Sequence, residues 1–150
     1  MQRKVLLEML AQNKTTCSFA FESITDENSG RRVNDQSASV GFIYRHIGEQ
    51  MNLFGLFFGI PSDIQNTTMG QQDAGQHFEL TTSRILVERG YDMLKRLIED
   101  TPDQAWLDTI ETPFFGTVTR ARLFSHVLFH NSHHAGQISL TLSRAQPKNP

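Results

Sequence analysis

The sequence predicts an all-α protein, a four-helix bundle with some long crossover connections. Three observations carry this. Four stretches repeat apolar residues at the helical period. Polar connections of roughly ten to twenty residues lie between them. No stretch alternates apolar and polar residues as a half-buried strand would. The 150 residues suit a single domain, and a domain of this size buries about 70% of the surface its unfolded chain exposes. A net charge of −2 gives no reason to expect nucleic acid or an anionic membrane as a partner. Cys17 is the one cysteine, so an internal disulfide and a Cys-rich zinc site are excluded. Its thiol reads as buried packing. The opening M-Q-R-K-V-L-L-E-M-L is basic and then apolar, but Glu8 and Gln12 interrupt it too soon for a signal peptide. No apolar run is long enough to span a bilayer. A soluble, cytoplasmic protein is expected.

Residues 2–24 read as the first helix, with Val5, Leu6, Met9, Leu10 and Ala20 on one stripe and Lys4, Glu8, Gln12 and Lys14 opposite. A polar connection, T-D-E-N-S-G-R-R-V-N-D-Q-S, follows. The second helix is expected over residues 39–58, capped by Ser37 or Ser39 and ended by Gly59 and Pro61. Phe42, Ile43, Leu53 and Phe57 form its apolar face. His46 stands in the middle of that face and Gln50 follows one turn later. An inward His needs a hydrogen-bond or metal partner, because an unpaired buried polar group costs about 1–3 kcal/mol.

Residues 62–78 are polar, Gln-rich and aperiodic, a long connection suited to covering a site, crossing a bundle end or making a subunit contact. His77 lies in it without an assigned role. Thr81 or Thr82 is placed to cap a third helix running to about residue 99, with Ile85, Leu86, Leu94, Leu97 and Ile98 inward. Thr101, Pro102 and Gln104 make a capping-box pattern for a short helix over residues 102–108. The piece around Pro113 reads as extended or turn-like, with Phe114 and Phe115 closing one end of the core. Thr117 or Thr119 is placed to cap the last helix, which runs to about residue 143. The tail A-Q-P-K-N-P reads as frayed.

The last helix carries L-F-S-H-V-L-F-H-N-S-H-H-A-G-Q, with four of the six histidines of the chain. At about 100° per residue, His130 and His134 point within roughly 40° of each other and lie one turn apart. Two imidazoles at this spacing can hold one metal ion, as in H-E-x-x-H helices. Asn131 stands where such a motif has its Glu, so metalloprotease chemistry is not expected. Gln137 lies within roughly 20° of His130 and His126 within roughly 40°. These two are expected beside the ligands, orienting them. His133 points about 100° away from His134 and cannot share its ion. In a bundle the second and last helices bring His46, His130 and His134 together. Three neutral imidazoles with one open position describe a catalytic zinc site. The sequence has no Glu-x-x-His pair, which sets carboxylate-bridged di-iron chemistry aside, and it offers no serine or cysteine hydrolase triad. Glu49 lies about 60° round from His46, toward the edge of the face, and is not expected as a fourth ligand.

These residues resemble the DinB-like superfamily of metal-binding four-helix bundles. The marks are an inward His in the second helix, here R-H-I-G-E at His46, and H-x-x-x-H-x-x-x-H-x-G-Q in the last, here His126 to Gln137. Where many members have Arg before the Gly-Gln, this chain has Ala135. The resemblance implies His46, His130 and His134 as ligands of one divalent ion: zinc first, nickel or iron as alternatives. It also implies a small-molecule partner and a homodimer. Some relatives are thiol-dependent transferases or isomerases that use bacillithiol, mycothiol or glutathione. The expected activity is therefore metal-dependent S-transfer with a low-molecular-weight thiol, or hydrolysis. The alternative is a stress-related bundle in which the metal is structural. Solvent access at the metal separates the two. No general base or substrate-binding residue follows from the sequence.

Overall fold

The computed structural model describes residues 2–144. Four long helices dominate it: α1 (Gln2–Phe21), α2 (Val40–Phe54), α3 (Leu80–Asp100) and α4 (Arg120–Arg144). A 3-10 turn, Gly55–Phe58, extends α2, and a second, Asp103–Leu107, follows α3. Cross-contacts set the helix directions. Arg45 reaches Thr82, and Asn52 donates to the Leu86 carbonyl at 2.8 Å, so α2 and α3 run parallel. Residues 55–79 form the crossover this requires. Lys14 pairs with Glu88, and Arg84 donates to the Ile24 carbonyl, so α1 runs against α3. Phe54 meets His126 while His46 meets His134, so α4 runs against α2. The order is up, down, down, up. Ile47, Met51, Leu94, Ile98, Val127 and Ile138 are wholly buried at its centre, each worth about 1.5–3 kcal/mol of burial. None of the described helices is long and apolar enough to cross a membrane.

The parallel pair approaches closely because α2 and α3 each present a glycine. A Cβ at Gly48 would stand 2.8 Å from the Leu86 Cβ, and one at Gly90 would stand 2.7 Å from the Met51 Cβ. Both opposing atoms are fixed to backbone, so relief requires moving a helix. Gly90→Ala is expected to lower stability by about 1–3 kcal/mol despite alanine's better helix propensity. Urea unfolding measures it, and a neutral or stabilised variant would show that the crossing is looser than this.

Several expectations are corrected. The chain between the third and fourth helices contains a hairpin, β1 (Thr109–Thr112) and β2 (Gly116–Thr119), paired antiparallel from Thr109 opposite Thr119 to Thr112 opposite Gly116. Gly116 takes a positive φ of 62° at the turn, which a side chain would disfavour. Four-residue strands are too short to show alternation. Phe114 and Phe115 do not plug the core; they ride the hairpin tip, 51% and 40% exposed. Val5, Met9 and Ile85 also face outward, because the apolar stripe of each helix is wider than the face its neighbours cover. The first helix ends at Phe21, not at residue 24. Neither Thr81 nor Thr82 caps α3: the cap position is Glu79, and the Thr82 hydroxyl donates to its carbonyl. Pro102, not Thr101, precedes the second 3-10 turn, with no side-chain cap. Ser39 caps α2 through Phe42 N–H, and Thr119 accepts from Arg122 N–H at the start of α4. The frayed tail lies outside the described residues.

Candidate functional site

Where α2 and α4 face each other, His46 meets His130 and His134. The Nε2 atoms of His46 and His130 are 3.0 Å apart, and those of His134 and His130 are 3.1 Å apart. One ring nitrogen from each of the three lies within 4.8 Å of the others, and all three residues are half-buried. Helix α4 is held at this level by a polar knot. Asn13 of α1 donates to the Leu128 carbonyl at 2.8 Å and to the Ser132 hydroxyl, and accepts from Tyr91. This explains Asn13 on the inward face of α1.

Hydrogen bonds fix two of the three tautomers. The Thr68 hydroxyl gives its proton to Glu49 at 2.8 Å, so at His46, 3.3 Å away, it can only accept. His46 therefore carries its proton on Nδ1 and turns a lone pair inward at Nε2. His134 Nδ1–H donates to the Gln137 side-chain oxygen at 2.6 Å, with the same result. His130 sits between two lone pairs and has one ring proton to offer, and its Nδ1 is buried with no partner. If Nε2 carries the proton it satisfies one neighbour and leaves the other opposed. If Nδ1 carries it, three lone pairs converge. A cation at the centre removes the conflict. The observed separations are within a few tenths of an ångström of the roughly 3.3 Å between imidazole nitrogens in a tetrahedral site with 2.0–2.1 Å bonds. The donor set fits a divalent metal.

The electrostatics agree. Burial, followed by the neighbouring His134, lowers the His46 pKa to about 4. Burial and then His134 and His46 lower that of His130 to about 2. Burial also lowers His134, against the opposing bond from Gln137. All three are neutral and ready to ligate at pH 7. The unfolded chain protonates the same imidazoles near their ordinary value of about 6.5. The fold refuses protons that the unfolded state accepts, so stability falls as the pH drops below about 6.5. For His46 the loss continues down to about pH 4, and for His130 down to about 2. Metal-free protein should lose melting temperature steadily between pH 7 and 4, and His130→Ala should lose less. Equal slopes in scanning calorimetry would contradict this.

The remaining residues divide. Gln137 touches His134 as described. His126 makes no hydrogen bond to the three histidines: its ring lies tilted against Phe54 and edge-on to Phe115, and its centroid is 5.9 Å from that of His130. His133 is exposed, its ring edge-on to that of His134 but outside the group of converging nitrogens, and His77 is exposed in the connection. Glu49 is fully buried and gives no ligand to the cluster. Its carboxylate accepts from Arg45 Nε at 2.7 Å, from the Thr67 N–H and hydroxyl at 2.9 and 2.5 Å, and from the Thr68 N–H and hydroxyl at 3.0 and 2.8 Å. Burial alone would raise its pKa, but these bonds outweigh burial and hold it below the usual carboxylate range. Glu49 thus clamps the 62–78 connection to α2 and, through Thr68, orients His46. Sequence reasoning missed this role: nothing in a Thr-Thr pair marks which carboxylate it will meet. Gln50, one turn past His46, is also buried, with neither amide atom bonded.

A cleft of about 510 Å³ opens beside the cluster. His46 and His134 form part of its wall, and Thr68, Gly70 and Gln71 bring the long connection to its edge. A separate cleft of about 540 Å³ is lined by Arg89, Arg96 and Arg120 and by none of the histidines, so its size has no bearing on this chemistry.

Solved structures share this architecture. One, described as "YfiT from Bacillus subtilis is a probable metal-dependent hydrolase with an unusual four-helix bundle topology", superposes with a TM-score of 0.72 at 16% identity, covering 95% of this chain and 87% of that one. A second, TT2238, described as a four-helix bundle protein, gives 0.67 at 12% identity, over 92% of this chain and 98% of that one. No curated protein matches the sequence. At these identities the likeness speaks for the fold. The family is carried by the sequence itself: residues 9–138 match the model of the DinB superfamily, and the chain belongs to that superfamily.

Proposed function

We propose that this protein is a metal-dependent hydrolase whose single divalent ion is held by His46, His130 and His134. The observation that carries this reading is the convergence of three imidazole Nε2 atoms, two fixed in the metal-binding tautomer, at the wall of an open cleft. Zinc is the first choice for three nitrogen ligands, with nickel or iron as alternatives. The hydrolase description of the Bacillus subtilis neighbour points the same way. A divalent ion there supplies Lewis acidity, which brings the ionisation of water or a thiol toward neutral pH.

The protein's own groups do the rest. Thr68 and Gln137 accept the Nδ1 protons of His46 and His134, so both rings keep their orientation and basicity. Glu49 keeps Thr68 in place. Phe54 and Phe115 pack against His126, one turn before His130, and the cleft walled by His46 and His134 is the approach for substrate. The aromatic packing of His126 leaves it free of the ion and available only as a wall. A homodimer and a cytoplasmic setting accompany this reading as expectations.

The test is hydrolysis by protein loaded with zinc, nickel or iron and by protein stripped with chelator, across a panel of esters, amides and lactones. Turnover that disappears with the ion, returns on reloading and is absent in His46→Ala supports the reading. Stoichiometric metal with no hydrolysis in any loaded form would favour a structural ion.

A further inference from the structure

We propose that the cleft beside the histidines takes a neutral, mostly apolar substrate and excludes charged ones, including low-molecular-weight thiols that carry carboxylates, such as glutathione. This rests on the hydrolase reading above and names the class of molecule it acts on. The cleft walls away from the histidines are Val33, Ala38, Phe42, Ile43 and Leu140, and the polar groups are uncharged, chiefly Thr68, Gln71 and Gln137. No Asp, Glu, Lys or Arg lines it. Two of the cations nearby in the chain are already committed. Arg32 pairs with Asp73 at 2.7 Å and donates to the Ser37 carbonyl, and Arg45 is bound to Glu49. The protein does have a cleft rich in arginine, but it holds none of the three histidines.

A ligand ammonium, or a carboxylate held away from the ion among these walls, would lose water and gain no counter-charge from the side chains there, which is unfavourable. An alkyl or aryl body would replace water against five apolar side chains. A volume of about 510 Å³ is ample for a small-molecule ligand. The polar needs of a neutral carbonyl group are met at the histidine side. Gln137 spends its oxygen on His134 and keeps its amide N–H groups, and the Gln71 side chain makes no hydrogen bond among the described residues. The substrate class is therefore a neutral ester or amide with an apolar body.

Two hydroxamates of equal chain length test it: octanohydroxamic acid, with an apolar tail, and suberic monohydroxamic acid, whose tail ends in a carboxylate. Each is titrated into cobalt-loaded protein by visible absorption, and into metal-free protein by displacement of the neutral dye Nile red. The apolar-tailed ligand should bind at least about tenfold tighter in both assays, and millimolar glutathione should leave the cobalt spectrum unchanged. Leu140→Lys, at a half-exposed position, should shrink the preference several-fold while cobalt stays bound. Equal affinities, a preference for the charged tail, or a Leu140→Lys variant with the full preference would overturn the proposal. Failure of the protein to take up cobalt, with the Nile red preference intact, would overturn the metal reading and leave the neutral cleft standing.

Discussion

His130→Ala should leave the protein folded but unable to retain a divalent ion. His130 is the middle ring of the three: its Nε2 lies 3.0 Å from that of His46 and 3.1 Å from that of His134, so it joins the α4 pair to α2. Without it, His46 and His134 remain on separate helices as a two-imidazole site with no third nitrogen. Elemental analysis after dialysis should fall from near one ion per chain to near zero. The thermal consequence is equally direct. An ion at about 100 times its dissociation constant adds about 2.7 kcal/mol to a fold that alone can bind it. For a chain of this size that corresponds to a rise of roughly 5–11 °C in melting temperature. The rise should be present in the parent protein and absent in the variant. His133→Ala and His126→Ala serve as matched controls and should keep both the ion and the rise. Undiminished metal in His130→Ala would remove the basis of the metal site. Loss of metal in His133→Ala would place the ion elsewhere on α4.

What made His130 and His134 legible was the helical period, which fixes relative direction within one element without any knowledge of the fold. His46 was legible for a related reason: a polar ring among Phe42, Ile43 and Leu53 demands a partner, and a bundle supplies the opposite face. The limits appear wherever direction depends on another segment. The sequence puts Glu49 about 60° from His46, a fair account of its place on the helix. What it omits is that the 62–78 connection folds over that edge and turns it into an interior, through bonds spanning eighteen and nineteen residues. The hairpin escaped for a different reason. Four-residue strands carry too few positions for a period, and their pairing rests on a turn at Gly116. Phe114 and Phe115 looked like core residues by composition. They pack instead on Phe54, Phe57 and His126 from outside, as an aromatic flank to the site.

Glu49→Ala should be the most damaging substitution outside the three histidines, and it should act on stability and metal together. Its carboxylate is fully buried and takes up five donors from Arg45, Thr67 and Thr68. Removing it leaves a guanidinium, two backbone N–H groups and two hydroxyls to find other partners in a place with little water. Breaking a buried ion pair from one side costs about 3–5 kcal/mol, a large part of the total stability of a domain. The 62–78 connection then loses its clamp at Thr67 and Thr68 and keeps its ties through Asp73 to Ser39 and Arg32 and through Asp63 to Arg89, so limited proteolysis should cut near residues 64–70 in the variant and not in the parent. Metal affinity should fall as well, because Thr68 loses the acceptor that orients its hydroxyl toward His46 Nδ1. Loss of such an orienting partner typically costs 10–100-fold in affinity. Thr68→Val separates the two effects. It deletes the hydroxyl between Glu49 and His46 but spares the backbone N–H bonds and the Arg45 pair. It should reproduce most of the loss in metal affinity with only about 1 kcal/mol of destabilisation. Competitive chelator titration and urea unfolding give the two readouts. Unaltered affinity in Thr68→Val would break the proposed link from carboxylate to ligand, and a Glu49→Ala variant within about 1 kcal/mol of the parent would show that the connection does not depend on this carboxylate.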